Sequence, residues 1–330
     1  MSKKLIRYEQ RSIYTKLLEK AYGDFWTHNS VSYKDDLYGV QHKFDEKARQ
    51  VFLKTISFQS LMDNDIVGIY TYLAKFVDDQ TLQLLYLYIA QNESIHQLSY
   101  SYGLQQTFGN EADDILSNAE NEPAVLQRMY KEEQVEDDFV SKFNIGEATI
   151  KDFVNVVIHA YLLEQIKFPV SFFVTFKLND TYNGAINGFS QALKEIAQDE
   201  LNTHVVTNMN VLKQLIRENK VDKEFVEKLV VDRINEIINE EEIWAEFLFD
   251  AGEPKGLNKK LYKYLVEYFS DEALRKLGFN KMFNVIKNSE ISWFNNYRDI
   301  NKSVVAQQET DSVGYQSLII NDLNKFDERV

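Results

Sequence analysis

Apolar residues recur along most of this chain with the 3.6-residue period of helix faces rather than the two-residue period of strands. Shorter segments with this period cover 8–26 and 112–134. Glycine (12) and proline (3) are scarce among the 330 residues, which favours a few long helices over many short elements. The pattern predicts an all-α fold whose long helices cover 46–76, 79–109, 149–180, 185–219, 222–250 and 258–277.

Polar residues stand where several of these helices are expected to begin. Asp45, Asp79 and Thr149 each precede a periodic segment, and such side chains accept hydrogen bonds from the free N–H groups of a first helical turn. Gly109 closes the second long segment, and glycine commonly ends helices. From 301 onward the periodicity stops, so we expect one helical domain over 1–300 and a flexible tail over 301–330.

Composition excludes several classes of function. The net charge of −14 gives an acidic surface that repels phosphate backbones, so we expect no nucleic-acid partner. The chain has no cysteine, which rules out disulfides and thiolate metal sites. It has no run of 18 apolar residues, and no apolar run follows the basic residues near Met1, so we expect a cytoplasmic protein without a membrane segment.

Two Glu/His pairs at helical spacing are the strongest chemical signal. Glu93 and His96 are three residues apart, so they share a helix face that is otherwise apolar. Glu200 and His204 form a similar pair about a hundred residues later. One such pair alone is more often a surface Glu beside a core His, but a second pair changes that balance.

Each pair is preceded by a single carboxylate one helix earlier. Asp63 precedes the first pair, with Asp65 as a competing candidate, and Glu164 precedes the second within a strongly apolar run. Ferritin-like helical bundles that hold two iron or manganese ions use this scheme of four carboxylates and two histidines. Pro169, five residues after Glu164, is expected to distort that helix beside the site.

At these residues the chain resembles the small subunit of class I ribonucleotide reductase, over about 25–315. The most specific stretch is Glu93-Ser-Ile-His96-Gln-Leu-Ser-Tyr100. The segments Leu163–Phe168 and Ile196–Glu200, the pair Phe25-Trp26, and Val305–Glu309 followed by Tyr315 are also similar to the family.

The resemblance implies a ferritin-like protein in which two metal ions and an oxygen species oxidise Tyr100 to a stable radical; Tyr102 is a bystander candidate. It implies an apolar radical pocket and a transfer route to a large catalytic subunit that reduces ribonucleotides to deoxyribonucleotides. The implied metal ligands are Asp63, Glu93, His96, Glu164, Glu200 and His204. The implied pocket residues are Phe168, Phe172 and Ile196, and the implied route uses Trp26, Asp199, His96 and Tyr315.

The implied cofactor is a pair of metal ions, with iron as the first expectation and manganese or a mixed pair as alternatives that suit the same ligands. The implied partners are a second copy of the chain and the large subunit, which docks through the tail. The resemblance leaves open whether an activating flavoprotein is needed. A ferritin-like oxidase acting on a small molecule or lipid, and a metal-storage protein, are the rival interpretations.

One departure from the family concerns the second pair, which usually has two residues between Glu and His. Here three residues separate Glu200 from His204. Either a π-bulge absorbs the extra residue, or the helix stays regular and the imidazole approaches the metal from another direction. We favour the π-bulge, which keeps His204 as the sixth ligand. His28, His42 and His159 are interpreted as non-ligands.

Overall fold

The computed structural model describes residues 12–299, apart from the side chains of 63–67. Within these residues every regular element is helical, which confirms the predicted all-α class. Two short π-helical turns, Leu163–Lys167 and Glu200–His204, interrupt otherwise regular α-helices. The α-helices are α1 (Ile13–Gly23), α2 (Asp36–His42), α3 (Glu46–Phe76), α4 (Gln80–Phe108), α5 (Glu111–Glu120), α6 (Pro123–Asn144), α7 (Ile150–Leu162), α8 (Phe168–Thr181), α9 (Asn187–Asp199), α10 (Val205–Arg217), α11 (Lys223–Leu248), α12 (Lys259–Leu277) and α13 (Ser289–Tyr297).

The predicted helix ends are largely those of the structure. Asp45 accepts a hydrogen bond from the backbone of α3, and Asp79 accepts two from the first turn of α4. Thr149 forms a reciprocal capping box with Asp152 at the start of α7. Gly109 ends α4 with a φ of 57°, a conformation that glycine adopts without steric cost.

The segment predicted as one helix over 112–134 is instead two helices. α5 ends at Glu120, and α6 begins at Pro123 and continues to Asn144. Proline lacks an N–H group and fits the first turn of a helix rather than its interior, so it marks a new start here. The short helices α2 and α13 were not predicted, because neither is long enough to show a period.

Four long segments form the bundle around the site. α3 packs along α4, α4 against α9, α9 against α8, and α8 back against α3, which closes a ring. α11 and α12 cover the outer side of α7, α8 and the first π-helical turn. The ring encloses a volume that side chains from all four segments can reach.

One stretch, Ile150–Thr181, is long and apolar enough to span a membrane by length and composition. Its most apolar window is 100% buried inside the protein. It comprises α7, the first π-helical turn and α8, and it is the central core helix of the fold. The apolar sequence is therefore explained by contacts with the neighbouring helices.

Candidate metal centre

The first Glu/His pair lies on the inward face of α4. Glu93 and His96 are both completely buried, and Glu93 Oε2 lies 3.3 Å from His96 Nδ1. Burying an acid and an imidazole inside an apolar bundle is costly unless each has a polar or charged partner. The pair therefore points to a site rather than to packing.

Two carboxylates lie between the two histidine rings and face both of them. Glu93 places its second oxygen, Oε1, 3.1 Å from His204 Nδ1. Glu200 places Oε1 3.0 Å from His96 Nδ1 and Oε2 2.8 Å from His204 Nδ1. Each carboxylate thus offers one oxygen on each side, with the ring centroids 5.7 Å apart. Two carboxylates placed in this way could hold two cations, one next to each histidine.

Glu164 completes the described cluster on the side of His204. It is fully buried, and its Oε1 lies 3.7 Å from His204 Nδ1. One ligand atom from each of Glu93, Glu164, Glu200 and His204 can be chosen so that all lie within 4.8 Å of one another. A metal ion at this position would be reached by three carboxylates and one imidazole.

Glu164 and the pair Glu200 and His204 all lie in π-helical turns. The turn Glu200–His204 contains the extra residue between Glu and His, as the favoured π-bulge interpretation predicted. The side chains of Glu200 and His204 are both buried. The turn Leu163–Lys167 presents Glu164 and leads directly into Phe168-Pro169, which agrees with the expected distortion beside that ligand. A π-helical turn widens the helix locally and is often found at functional sites.

The electrostatics of the cluster suit cations. Burial, together with the charges of Glu200 and Glu93, raises the pKa of Glu164 well above its usual range. Burial opposes charging of His96 and His204, but the surrounding carboxylates raise both histidine pKa values well above their usual range. The cluster thus favours protons on Glu164 and on the two histidines, and divalent cations would take the place of these protons.

Several buried polar atoms of the cluster are free to bind metal ions. Within the part of the chain described, both oxygens of Glu93 and of Glu200 and both ring nitrogens of His204 are buried without a well-formed hydrogen bond. Native proteins rarely leave so many buried polar atoms unsatisfied in one place. Carboxylate oxygens and imidazole nitrogens are ligands that iron and manganese accept, so the donor set fits such ions.

A polar path connects this cluster to the outer side of the bundle. The indole N–H of Trp26 donates a 2.7 Å hydrogen bond to Asp199 Oδ2, and the same oxygen lies 3.2 Å from His96 Nε2. Trp26 is only partly buried, whereas Asp199 and His96 are buried. The structure therefore joins the three route residues that the sequence predicted within the described part of the chain.

The predicted radical tyrosine and its pocket residues lie inside the fold. Tyr100 is 3% exposed, on α4 one turn beyond His96, and Ile196 is fully buried. Phe168 and Phe172 are buried with their rings stacked 5.8 Å apart. Tyr102, the bystander candidate, is less buried, and its ring packs against Tyr33 and His28.

Some predicted residues lie outside what the structure describes. The side chains of Asp63 and its competitor Asp65 fall within 63–67, and Tyr315 falls within the tail 301–330. Their assignments stay predictions. His159 is buried, but its pKa is lowered by burial and by the charges of Arg233 and Lys167, so it belongs to a cationic environment away from the carboxylate cluster.

One tyrosine beside the cluster was not predicted from the sequence. Tyr70 of α3 is fully buried, and its hydroxyl donates a 3.3 Å hydrogen bond to Glu164 Oε1. Asn208 Nδ2 donates to the same hydroxyl at 3.1 Å. Helical spacing is the sequence signal that points to both residues. Tyr70 lies two helical turns after Asp63 and Asn208 lies one turn after His204, so each is expected on the same helix face as a predicted ligand.

Comparisons with known proteins find relatives that share one description. The relatives include the ribonucleoside-diphosphate reductase subunit beta of Buchnera aphidicola subsp. Baizongia pistaciae, 24% identical over 96% of this chain and 89% of the relative. Ribonucleoside-diphosphate reductase 1 subunit beta of Escherichia coli O157:H7 is 25% identical over 94% of this chain and 88% of the relative.

Solved structures share the fold. The ribonucleotide reductase R2 subunit from Clostridium botulinum superposes with a TM-score of 0.79 at 22% identity, covering 87% of this chain and 88% of that chain. The dimanganese(II) NrdF protein of Streptococcus sanguinis gives a TM-score of 0.71 at 19% identity, over 89% and 99%. These matches confirm the ferritin-like bundle. The model of the family "Ribonucleotide reductase, small chain" matches residues 4–290, so the chain belongs to this family.

Proposed function

We propose that this chain is the radical-generating small subunit of a class I ribonucleoside-diphosphate reductase, with Tyr100 as the radical host. The observation that carries the proposal is the position of Glu93 and Glu200, each offering one oxygen toward His96 and one toward His204. Because each of these two carboxylates faces both histidines, the arrangement would suit two metal ions, one beside each histidine. The family membership adds the reductase context and does not favour an independent oxidase.

Six residues would hold the two ions. Three carboxylates and two histidines come from the described cluster, and Asp63 is proposed as the remaining ligand on the side of His96. Iron is the first expectation, and the dimanganese(II) relative keeps manganese or a mixed pair as alternatives. When bound and treated with an oxygen species, the ions supply the one-electron oxidant that the fold alone lacks. The proposed ligands are Asp63, Glu93, His96, Glu164, Glu200 and His204.

The residues of the chain then control where the oxidising equivalent goes. Tyr100 gives up one electron and its phenolic proton, and the buried rings of Phe168 and Phe172 with Ile196 keep water and reductants away from the resulting radical. His96, Asp199 and Trp26 form a continuous polar path toward the surface. We propose that this path and Tyr315 carry the equivalent to the large subunit.

The assembly proposed for the chain follows its family. We expect a homodimer that works with a large catalytic subunit in the cytoplasm, with neither nucleic acid nor membrane as a partner. Residues 1–300 would form the metal-binding domain, and 301–330 would carry Tyr315 and dock the large subunit. Deleting 316–330 should leave the radical intact and abolish activity in the assembled complex; undiminished binding of the large subunit would contradict this role.

The direct test of the radical assignment is Tyr100→Phe. The full chain, loaded with Fe(II) and exposed to oxygen, should give a stable tyrosyl signal in the electron paramagnetic resonance spectrum. Tyr100→Phe should remove the stable signal while the protein still binds about two metal ions per chain. Tyr102→Phe is the matched control and should keep the signal. A stable signal that survives in Tyr100→Phe would overturn the assignment.

A further inference from the structure

The phenol of Tyr70 donates a hydrogen bond directly to a proposed metal ligand, Glu164. Its ring lies 6.1 Å from the ring of His204, a second proposed ligand. The side chain of Tyr70 is fully buried, and it extends from α3 toward Glu164 and Asn208. An oxidant formed at the metal centre would therefore meet this phenol without any movement of the chain.

We propose that Tyr70 is a second oxidisable phenol of the same centre, which gives up an electron when Tyr100 is unable to. This inference rests on the proposed function, because the oxidant is the oxygen-treated metal pair. In the step, the O–H bond of Tyr70 breaks, its electron reduces the oxidised metal pair, and its proton passes to Glu164 Oε1. The product is a neutral phenoxyl radical on Tyr70.

The hydrogen bonds around the hydroxyl suit this step. Tyr70 donates to Glu164, so the departing proton already points at a carboxylate acceptor 3.3 Å away. Asn208 Nδ2 donates to the Tyr70 oxygen at 3.1 Å and would stay as a donor to the phenoxyl oxygen. Asn208 Oδ1 in turn accepts a bond from the hydroxyl of Tyr86 at 3.4 Å, which holds the amide in the orientation that donates to Tyr70.

The burial of Tyr70 favours loss of the electron and the proton together. Losing an electron without the proton would leave a cation in the low-dielectric interior, at high electrostatic cost. Oxidation of Tyr70 thus requires the nearby carboxylate, which the geometry supplies.

The test uses the full chain loaded with Fe(II) and mixed with oxygen, followed by rapid freezing and electron paramagnetic resonance. In Tyr100→Phe we expect a transient tyrosyl signal that narrows when the protein carries ring-deuterated tyrosine. Adding Tyr70→Phe should remove this signal. Adding Tyr86→Phe instead should keep it, because Tyr86 is equally buried and contacts the same asparagine, whereas the hydroxyl that donates to Glu164 is that of Tyr70.

Two further measurements keep the proposal testable if the double variant fails to fold or to bind iron. Replacing Tyr70 by 3-fluorotyrosine in the Tyr100→Phe background retains the phenol and should add a fluorine splitting to the signal. Asn208→Ala in the same background should raise the largest g value in high-field spectra, since a hydrogen bond to a phenoxyl oxygen lowers it. A purely structural role of Tyr70 would predict neither change.

The outcomes separate this inference from the proposed function. A stable signal in the unmodified chain that depends on Tyr100, together with no tyrosyl signal in Tyr100→Phe, would overturn the inference alone. A transient signal that persists in the Tyr70→Phe/Tyr100→Phe protein would also overturn it. Absence of any tyrosyl signal in the unmodified, iron-loaded chain would overturn the proposed function.

Discussion

The rings of Trp26 and His96 lie nearly parallel, with 5.9 Å between their centroids and 18° between their planes, and both side chains reach the same oxygen of Asp199. Asp199 thus joins a partly exposed indole to a histidine of the metal centre through two short polar contacts. A carboxylate shared in this way can hold the indole and imidazole in fixed orientations, which favours transfer of an electron coupled to a proton.

The first prediction is that Trp26→Phe separates radical formation from reductase turnover. The substitution removes the indole N–H and its bond to Asp199 but leaves the proposed metal ligands intact. We expect a detectable tyrosyl radical after loading with Fe(II) and oxygen. Deoxyribonucleotide formation with the large subunit should fall by about a hundredfold or more, the size expected when a reacting group loses its positioning.

The control for this prediction is Phe25→Leu, which changes the exposed neighbour of Trp26 and should leave both quantities nearly unchanged. Both variants are compared at saturating large subunit, so that weak binding is not mistaken for a broken route. Full turnover in Trp26→Phe would exclude the indole from the route.

The second prediction concerns the buried ion cluster around Lys167, the last residue of the first π-helical turn. Its ammonium group lies 3.1 Å from both oxygens of Glu132 and 2.6 Å from Glu240 Oε2, and it donates a 2.8 Å hydrogen bond to Arg128 O. Lys167→Met keeps the bulk but removes the charge. The buried carboxylate of Glu132 and the partly buried one of Glu240 would then share Arg233, so we expect a loss of about 3 kcal/mol in the free energy of unfolding.

Urea denaturation followed by circular dichroism measures this loss. The matched control is Lys228→Met, which removes an exposed lysine paired with Asp232 on α11 and should change the free energy of unfolding by less than about 0.5 kcal/mol. If both variants unfold at the same urea concentration, the buried cluster contributes no more to stability than an exposed ion pair.

The third prediction is a pH dependence of stability that originates at Asp36. Its carboxylate accepts hydrogen bonds from the backbone N–H groups of Gly188 and Phe189 at the start of α9. Burial raises its pKa to about 6, although these two hydrogen bonds act in the opposite direction. The folded state therefore binds this proton more tightly than the unfolded state, so the contribution is full below pH ~4 and is lost as the pH rises through 6.

Comparison with Asp36→Asn isolates this effect. The free energy of unfolding of the unmodified chain, minus that of the variant, should fall by on the order of 1 kcal/mol between pH 5 and pH 7.5. Groups elsewhere in the protein titrate equally in both proteins and cancel in the difference. A difference that stays constant over this range would show that Asp36 has an ordinary pKa.

The sequence predicted those features whose signal lies within one short segment of the chain. Helix periodicity and capping residues such as Asp79 are local, and they placed the long helices within a few residues of their ends. Glu93 and His96 were found because a short motif at helical spacing predicts a shared face. The extra residue before His204 predicted a π-helical turn because the two histidines had to reach one site.

Features that depend on contacts between distant segments were not predictable in the same way. Lys167 and Arg128 look like ordinary surface residues in the sequence, yet both are buried because Glu132 and Glu241 face them from other segments. Tyr70 was one of 19 tyrosines without a motif around it. Its spacing of two helical turns from Asp63 puts it on the same face of α3, but its contact with Glu164 depends on how α3 packs against another segment.

The last prediction uses the π-helical turn Glu200–His204 directly. Asn202 is exposed within this turn, whereas Glu200 and His204 are buried. Deleting Asn202 should convert the turn into regular α-helix and restore the family's two-residue spacing, while α10 keeps its orientation, because a π-bulge confines one extra residue to one turn. We expect a folded protein that still binds about two metal ions per chain, the number this site type holds.

Deletion of Asn235 is the matched control, since this exposed residue lies in the regular helix α11. Removing it rotates every following residue of α11 by about 100° and turns buried positions such as Trp244 away from the core. We expect that control to lose most of its stability and the Asn202 deletion to unfold at nearly the same urea concentration as the unmodified chain. Equal destabilisation by both deletions would show that the extra residue is part of a regular helical register, and the π-helical account of His204 would then be wrong.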